Sequence, residues 1–198
     1  MHSYKLVLHI LIVCLIICAP VSAQTTEYAV VFDSSAVTVD GTSNNTPEWT
    51  VYATEFSGDI MLSGADPASV DSAMLVVQTS MLKSRKSPIM DRGMHTALQA
   101  NAYPAISYVL TEVTQADWTS DTEFLLNTAG NLTIGGATLP VSIPVSGAVT
   151  GEGVTYTGSH TLLMTDYGLK PPSMMFGAMR VGNEVVVNFS LYIAQAAD

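Results

Sequence analysis

The sequence predicts an all-β domain, an antiparallel barrel or sandwich of short strands, with one helix inserted. Three observations predict it. Apolar and polar residues alternate through most of the chain. Gly, Pro, Asn and Asp separate the alternating runs at regular intervals, as turn chemistry does in all-β folds. Only from Ser87 to Ala100 does the apolar period lengthen to that of a helix.

The first residues stand apart from this pattern. Lys5 supplies a positive start, Leu6 to Cys18 form an apolar run, and Val21-Ser22-Ala23 has the small-x-small form that signal peptidase cuts. Residues 1–23 therefore read as a secretory signal cleaved after Ala23, and 24–198 as one domain, periplasmic or secreted. The run is short of the roughly 20 apolar residues a membrane span needs, and no later run reaches that length. A lipoprotein is disfavoured, because Ile16 and Ile17 put bulk before Cys18 where processing needs a small residue.

Glu27 to Asp33 and Ala36 to Val39 read as the first short strands. Trp49 to Leu62 reads as a long one, with Tyr52, Thr54, Phe56, Ile60 and Leu62 in one parity. Ser72 to Leu82 and Ala105 to Val113 follow, with Asn44 to Pro47 and Gly64 to Pro67 as separators. Thr122 to Ile134 and Pro140 to Thr150 flank Gly135-Gly136, the pair a tight hairpin needs. Val154 to Thr165 and Asn183 to Ala194 complete the set, after the Thr150-Gly151-Glu152-Gly153 and Val181-Gly182-Asn183 turns. In the helical segment Pro88 suits a first turn, and Ile89, Met90, Met94, Ala97 and Leu98 fall on one face. Asn101 then offers a stop before Tyr103-Pro104. A lone amphipathic helix in such a chain is expected to cover an open end.

Composition narrows the function. Both cysteines, Cys14 and Cys18, lie in the signal, so the exported domain has no disulfide and relies on its core. The chain carries 17 acidic against 7 basic side chains, which argues against general binding to nucleic acid or anionic lipid. Lys83, Arg85, Lys86 and Arg92 form the one local exception. His95 and His160 are the only histidines after the signal, and their spacing supports no metal site. Asp166 beside Tyr167 and Ser159 beside His160 can be written as reactive pairs, yet no catalytic motif surrounds them. Ser159 and His160, adjacent on a strand, also face opposite ways. No enzymatic activity and no cofactor are expected.

These residues, taken in order, resemble the YceI-like family of secreted, lipocalin-like proteins that bind isoprenoid and other long-chain lipids. The resemblance rests on Val39-Asp40-Gly41-Thr42-Ser43, Glu48-Trp49-Thr50-Val51 and Phe56-Ser57-Gly58. It continues through Met94-His95-Thr96-Ala97-Leu98, Tyr103 to Tyr108, Gly130 to Gly136, Leu139-Pro140-Val141 and Thr165 to Pro172. Departures fall at Pro47, where members often carry His, and at Asp91-Arg92, where many carry the reverse pair. The resemblance implies an antiparallel barrel of about eight strands with the helix over one end. It also implies an exported carrier that holds an isoprenoid, quinone or fatty-acid type lipid. The alternative is a structural or adhesive β-domain with a packed core and no ligand. Whether two barrels pair stays open.

By parity, the expected interior residues are Tyr52, Phe56, Leu75, Val77, Ile106, Tyr108, Leu132, Ile143, Leu162, Val187 and Phe189. The same residues would fill a solid core in any small barrel. Met175 and Phe176, in a Met-rich loop after Pro171-Pro172, could line the mouth as pliable contacts or merely fill gaps. Lys83, Arg85 and Lys86, beside a helix N-terminus, suit an anionic head group, although a solvated loop is the ordinary reading of such a run.

Overall fold

The computed structural model describes residues 25–45, 48–151, 153–174 and 177–195. The expected signal peptide and Met175 and Phe176 lie outside the described residues.

The strands in chain order are β1 (Thr25–Val30), β2 (Ala36–Ser43), β3 (Trp49–Ala53), β4 (Phe56–Ser63), β5 (Val70–Gln78) and β6 (Leu82–Lys83). After α1 (Pro88–Ala97) come β7 (Ala105–Trp118), β8 (Glu123–Ile134), β9 (Ala137–Thr150), β10 (Gly153–Leu163), β11 (Ser173–Met174) and β12 (Met179–Gln195). β4, β5, β7, β8, β9, β10 and β12 pair in that order, and β1 pairs with both β4 and β12 to close the ring. β2 continues β1 along β12, β3 continues β4, and β6 continues β5, so three of the eight staves are each broken in two. The expected barrel is present.

Local chemistry explains the breaks and turns. A short 3-10 turn over Phe32–Ser34 separates β1 from β2, and Ser35 Oγ donates to the Val31 carbonyl at 2.7 Å. Gly135 and Gly136 have φ of 57° and 84°, the left-handed pair that a two-residue hairpin between β8 and β9 requires. Burial alternates cleanly along β8, where Phe124, Leu126, Thr128, Gly130, Leu132 and Ile134 turn inward.

The two ends of the barrel differ. At the end that holds the 64–69 loop the interior is packed solid. Phe124 is 1% exposed, and its ring meets Trp118 and Tyr156 at centroid distances of 4.9 and 5.8 Å. Tyr156 donates to the Pro67 carbonyl at 2.7 Å, which pins the 64–69 loop beneath. Ile193, Leu62 and Ala68 complete this floor. At the far end, α1 lies across the opening. Ser87 caps it by accepting from the Ile89 N–H, and Pro88 takes the first turn.

β9 and β10 pair only from Gly153↔Thr150 to Gly158↔Val145. Pro144 follows immediately on β9 and Pro140 stands four residues before it, and neither has an N–H to give to a neighbour. The wall is therefore laced near the floor and carries no ladder between these strands nearer the helix.

Candidate functional site

Between the floor and the helix lies a cavity of about 390 Å³. This size falls within the usual range for small-molecule sites. Its wall is built from the inward positions of the strands, among them Val37 and Val39 of β2, Leu75 and Val77 of β5, and Val185 and Val187 of β12. α1 supplies the roof: Met90, Gly93, Met94, Ala97 and Leu98, one helical face, all line the cavity. Ile89 is instead 68% exposed, and it departs from the expected apolar face because it sits on the outer side of the first turn.

The helix is tied down by polar contacts rather than by buried bulk, since none of its residues is fully buried. The Ser84 backbone N–H and hydroxyl both donate to Asp91, at 2.8 and 2.6 Å, and His95 Nε2 meets the Leu82 carbonyl at 2.9 Å. Burial pushes the Asp91 carboxyl up, but the two bonds from Ser84, with nearby Lys83 and His95, outweigh it and leave the group below its usual value. Asp91 therefore stays charged at neutral pH.

Nine of the expected interior residues line the cavity: Leu75, Val77, Ile106, Tyr108, Leu132, Ile143, Leu162, Val187 and Phe189. Two do not. Tyr52 lies under the Arg85 guanidinium, 4.0 Å from the ring centroid, while its neighbours Val51 and Ala53 are the buried ones. The parity count through Trp49 to Leu62 fails because Thr54 and Glu55 break the stave, and the inward set changes from odd to even numbers there. Phe56 does turn inward, but it fills the wall with Val51, Ala53 and Leu82 and stacks edge-on against Phe32 at 4.9 Å. Of the three head-group candidates, Lys86 reaches the cavity; Lys83 and Arg85 line a shallow depression outside it with Lys86, Ser87 and Asp91. Arg85 is held there by its ring contact and by a left-handed turn, φ 56°.

Polar groups inside are few. Tyr108 folds its ring over Gly130, where any Cβ would collide with it, and its hydroxyl lies 3.3 Å from Thr128 Oγ1. Thr128 Oγ1 donates in turn to the Ile143 carbonyl at 2.8 Å. Burial raises the Tyr108 phenol above its ordinary value, with the Thr128 bond pulling the other way. His160 also lines the cavity, and desolvation holds its imidazole below the ordinary value. Sequence reasoning separated it from Ser159 without choosing a face. The signal was available, because Tyr156 and Leu162 share its parity and are both large and buried. Met164 and Met179 line the cavity as well, at the ends of the segment that carries Met175 and Phe176.

A family model described as a YceI-like domain matches residues 28–193. Among solved structures the chain is similar to Burkholderia cenocepacia BcnA, with a TM-score of 0.67 at 20% identity over 82% of this chain and 98% of that one. It is similar to a polyisoprenoid binding domain from Saccharophagus degradans implicated in plant cell wall breakdown, with a TM-score of 0.64 at 12% identity over 85% and 98%. A Campylobacter jejuni YCEI protein gives a TM-score of 0.58 at 11% identity over 75% and 85%. At these identities the three structures speak to the fold. No curated protein matches the chain.

Proposed function

The chain belongs to the YceI-like family, and from that membership we propose that it is an exported binding protein, not an enzyme, that holds a long-chain lipid of isoprenoid or quinone type inside the barrel. The observation that carries this reading is the contrast between the two ends. The floor is closed by Phe124 packed against Trp118 and Tyr156, while the space above it stays open and is walled mainly by aliphatic and methionine side chains, with Trp49, Tyr108 and Phe189 among them. A domain that needed only stability would fill that space, because interiors otherwise pack to crystal-like density. Burial contributes about 0.8 kcal/mol per methylene, so a dozen methylenes give about 10 kcal/mol against an association cost of about 4–15 kcal/mol. The solved neighbour described as a polyisoprenoid binding domain supports the same ligand class.

The lipid enters where α1 meets the rim. Lys86 stands at that rim, and Lys83 and Arg85 flank it, so an anionic head group would rest there with the chain below. Export rests on the N-terminal segment and its Val21-Ser22-Ala23 site. Solvent extraction of natively purified protein, followed by mass spectrometry, tests the reading. A stoichiometric long-chain lipid is expected. A protein that carries none, and takes up neither prenyl alcohols nor quinones when offered, would be a structural or adhesive β-domain instead.

A further inference from the structure

Apart from Lys86, which is exposed at the rim, His160 stands out among the polar side chains that line the cavity. Thr50 Oγ1 donates to Asp40, Ser84 to Asp91, Tyr156 to the Pro67 carbonyl, and Tyr108 and Thr128 bond each other. Ser43 also has a partner. His160 has no hydrogen-bond partner among the described residues, and it projects into an apolar space two residues beyond Gly158, the last residue of β10 paired to β9. Val187 opposes it on β12 and offers nothing polar.

A neutral imidazole carries one donor and one acceptor. While the cavity holds water, both can be satisfied. A pure hydrocarbon that filled the cavity would strip them of solvent and return nothing, which is the costly half of hydrogen-bond energetics. We infer that His160 is a specificity-determining residue that selects a ligand bearing an uncharged oxygen, a carbonyl or hydroxyl, seated within the barrel rather than at its rim. This rests on the lipid-binding reading and refines it. The charged residues at the rim would set the preference among head groups outside, whereas His160 would discriminate within the hydrophobic part of the ligand.

The test uses delipidated full-length mature protein and two probes of equal chain length, dodecanol and dodecane, each measured by displacement of bound anilinonaphthalene sulfonate. Wild-type protein should prefer the alcohol by about tenfold, the scale of one satisfied against one stranded hydrogen-bonding group. His160→Leu should bring the two affinities together, chiefly by tightening the alkane, and His160→Gln, which keeps a donor and an acceptor, should retain most of the preference. The imidazole nitrogen shifts of wild-type protein should move on adding dodecanol and not dodecane, a readout that does not depend on any variant folding. A preference that survives unchanged in His160→Leu, or imidazole shifts that ignore the alcohol, would overturn the assignment while leaving lipid binding intact. Failure of both probes to bind wild-type protein would instead overturn the lipid-binding reading, and this inference with it.

Discussion

Replacing Ala73 by Leu should weaken lipid binding and leave the fold as stable as before, or more so. Ala73 turns inward on β5 opposite Ile60, and it lines the cavity just above the packed floor. Leu adds three carbons at that point. If they enter open space, they take the seat of about three ligand methylenes, worth about 0.8 kcal/mol each. The loss of about 2 kcal/mol corresponds to roughly thirtyfold in Kd. The ligand-free protein gains contacts from the same carbons, and at about 2–4 °C per kcal/mol its Tm should hold or rise by a few degrees. In a filled core the signs reverse, because overpacking costs about 1–3 kcal/mol and lowers Tm. Thermal unfolding of delipidated wild type and Ala73→Leu, followed by circular dichroism, gives the first quantity, and titration with a long-chain alcohol gives the second. A fall of several degrees with no change in affinity would refute the open interior.

Phe124→Ala should cost about 3–5 kcal/mol, because it removes the centre of the floor, and urea unfolding measures the loss. Converting Lys83, Arg85 and Lys86 to Gln should weaken binding of a phosphorylated lipid several-fold and leave a neutral lipid of equal length unchanged. The difference should shrink with added salt, because exposed charges are screened over about 8 Å at physiological ionic strength. His160 is held below its ordinary value of 6.5 in the folded state, so its contribution to stability is present above that pH and is lost as pH falls. Wild-type protein should therefore lose stability on acidification below that point more steeply than His160→Gln. N-terminal sequencing of the exported form should begin at Gln24.

The strands and the roof were legible because each was written in one period. α1 keeps its period over a full turn and more, with Ser87 and Pro88 marking its start, and the Gly135-Gly136 hairpin announces itself. Tyr52 was misplaced for a definite reason. Thr54 and Glu55 interrupt the stave without a Gly or Pro to mark the break, so an alternation that is locally correct on both sides joins wrongly across it. β12 begins at Met179 rather than Asn183, and β7 runs on to Trp118 past two bulges, because pairing with a neighbour extends strands whose own sequence is indifferent. The division between floor and cavity was beyond reach. Leu126 and Leu132 share one local pattern on β8 and both face the cavity, and only the packing of the neighbouring Phe124 ring against Trp118 and Tyr156 closes the interior beyond Leu126.

The strand that completes the ring is the last of the described strands in chain order. Tyr28 pairs with Gln195 and Val30 with Ile193, which is 0% exposed, so the first staves wait for the C-terminal residues before either has its final neighbour. The strands from β7 to β10 pair with sequence neighbours through tight turns, and such contacts form early. Joining the two ends requires the whole intervening chain to be ordered, at an entropic cost that grows with the logarithm of its length. Folding of this topology is accordingly paced by closure rather than by strand formation. A sheet of this topology that is not yet closed has its apolar face bare and two raw edges, the condition in which β-rich chains associate with one another. The acidic surplus, 17 acidic against 7 basic side chains, does not depend on closure, and repulsion between like-charged chains opposes that association before the ring is complete.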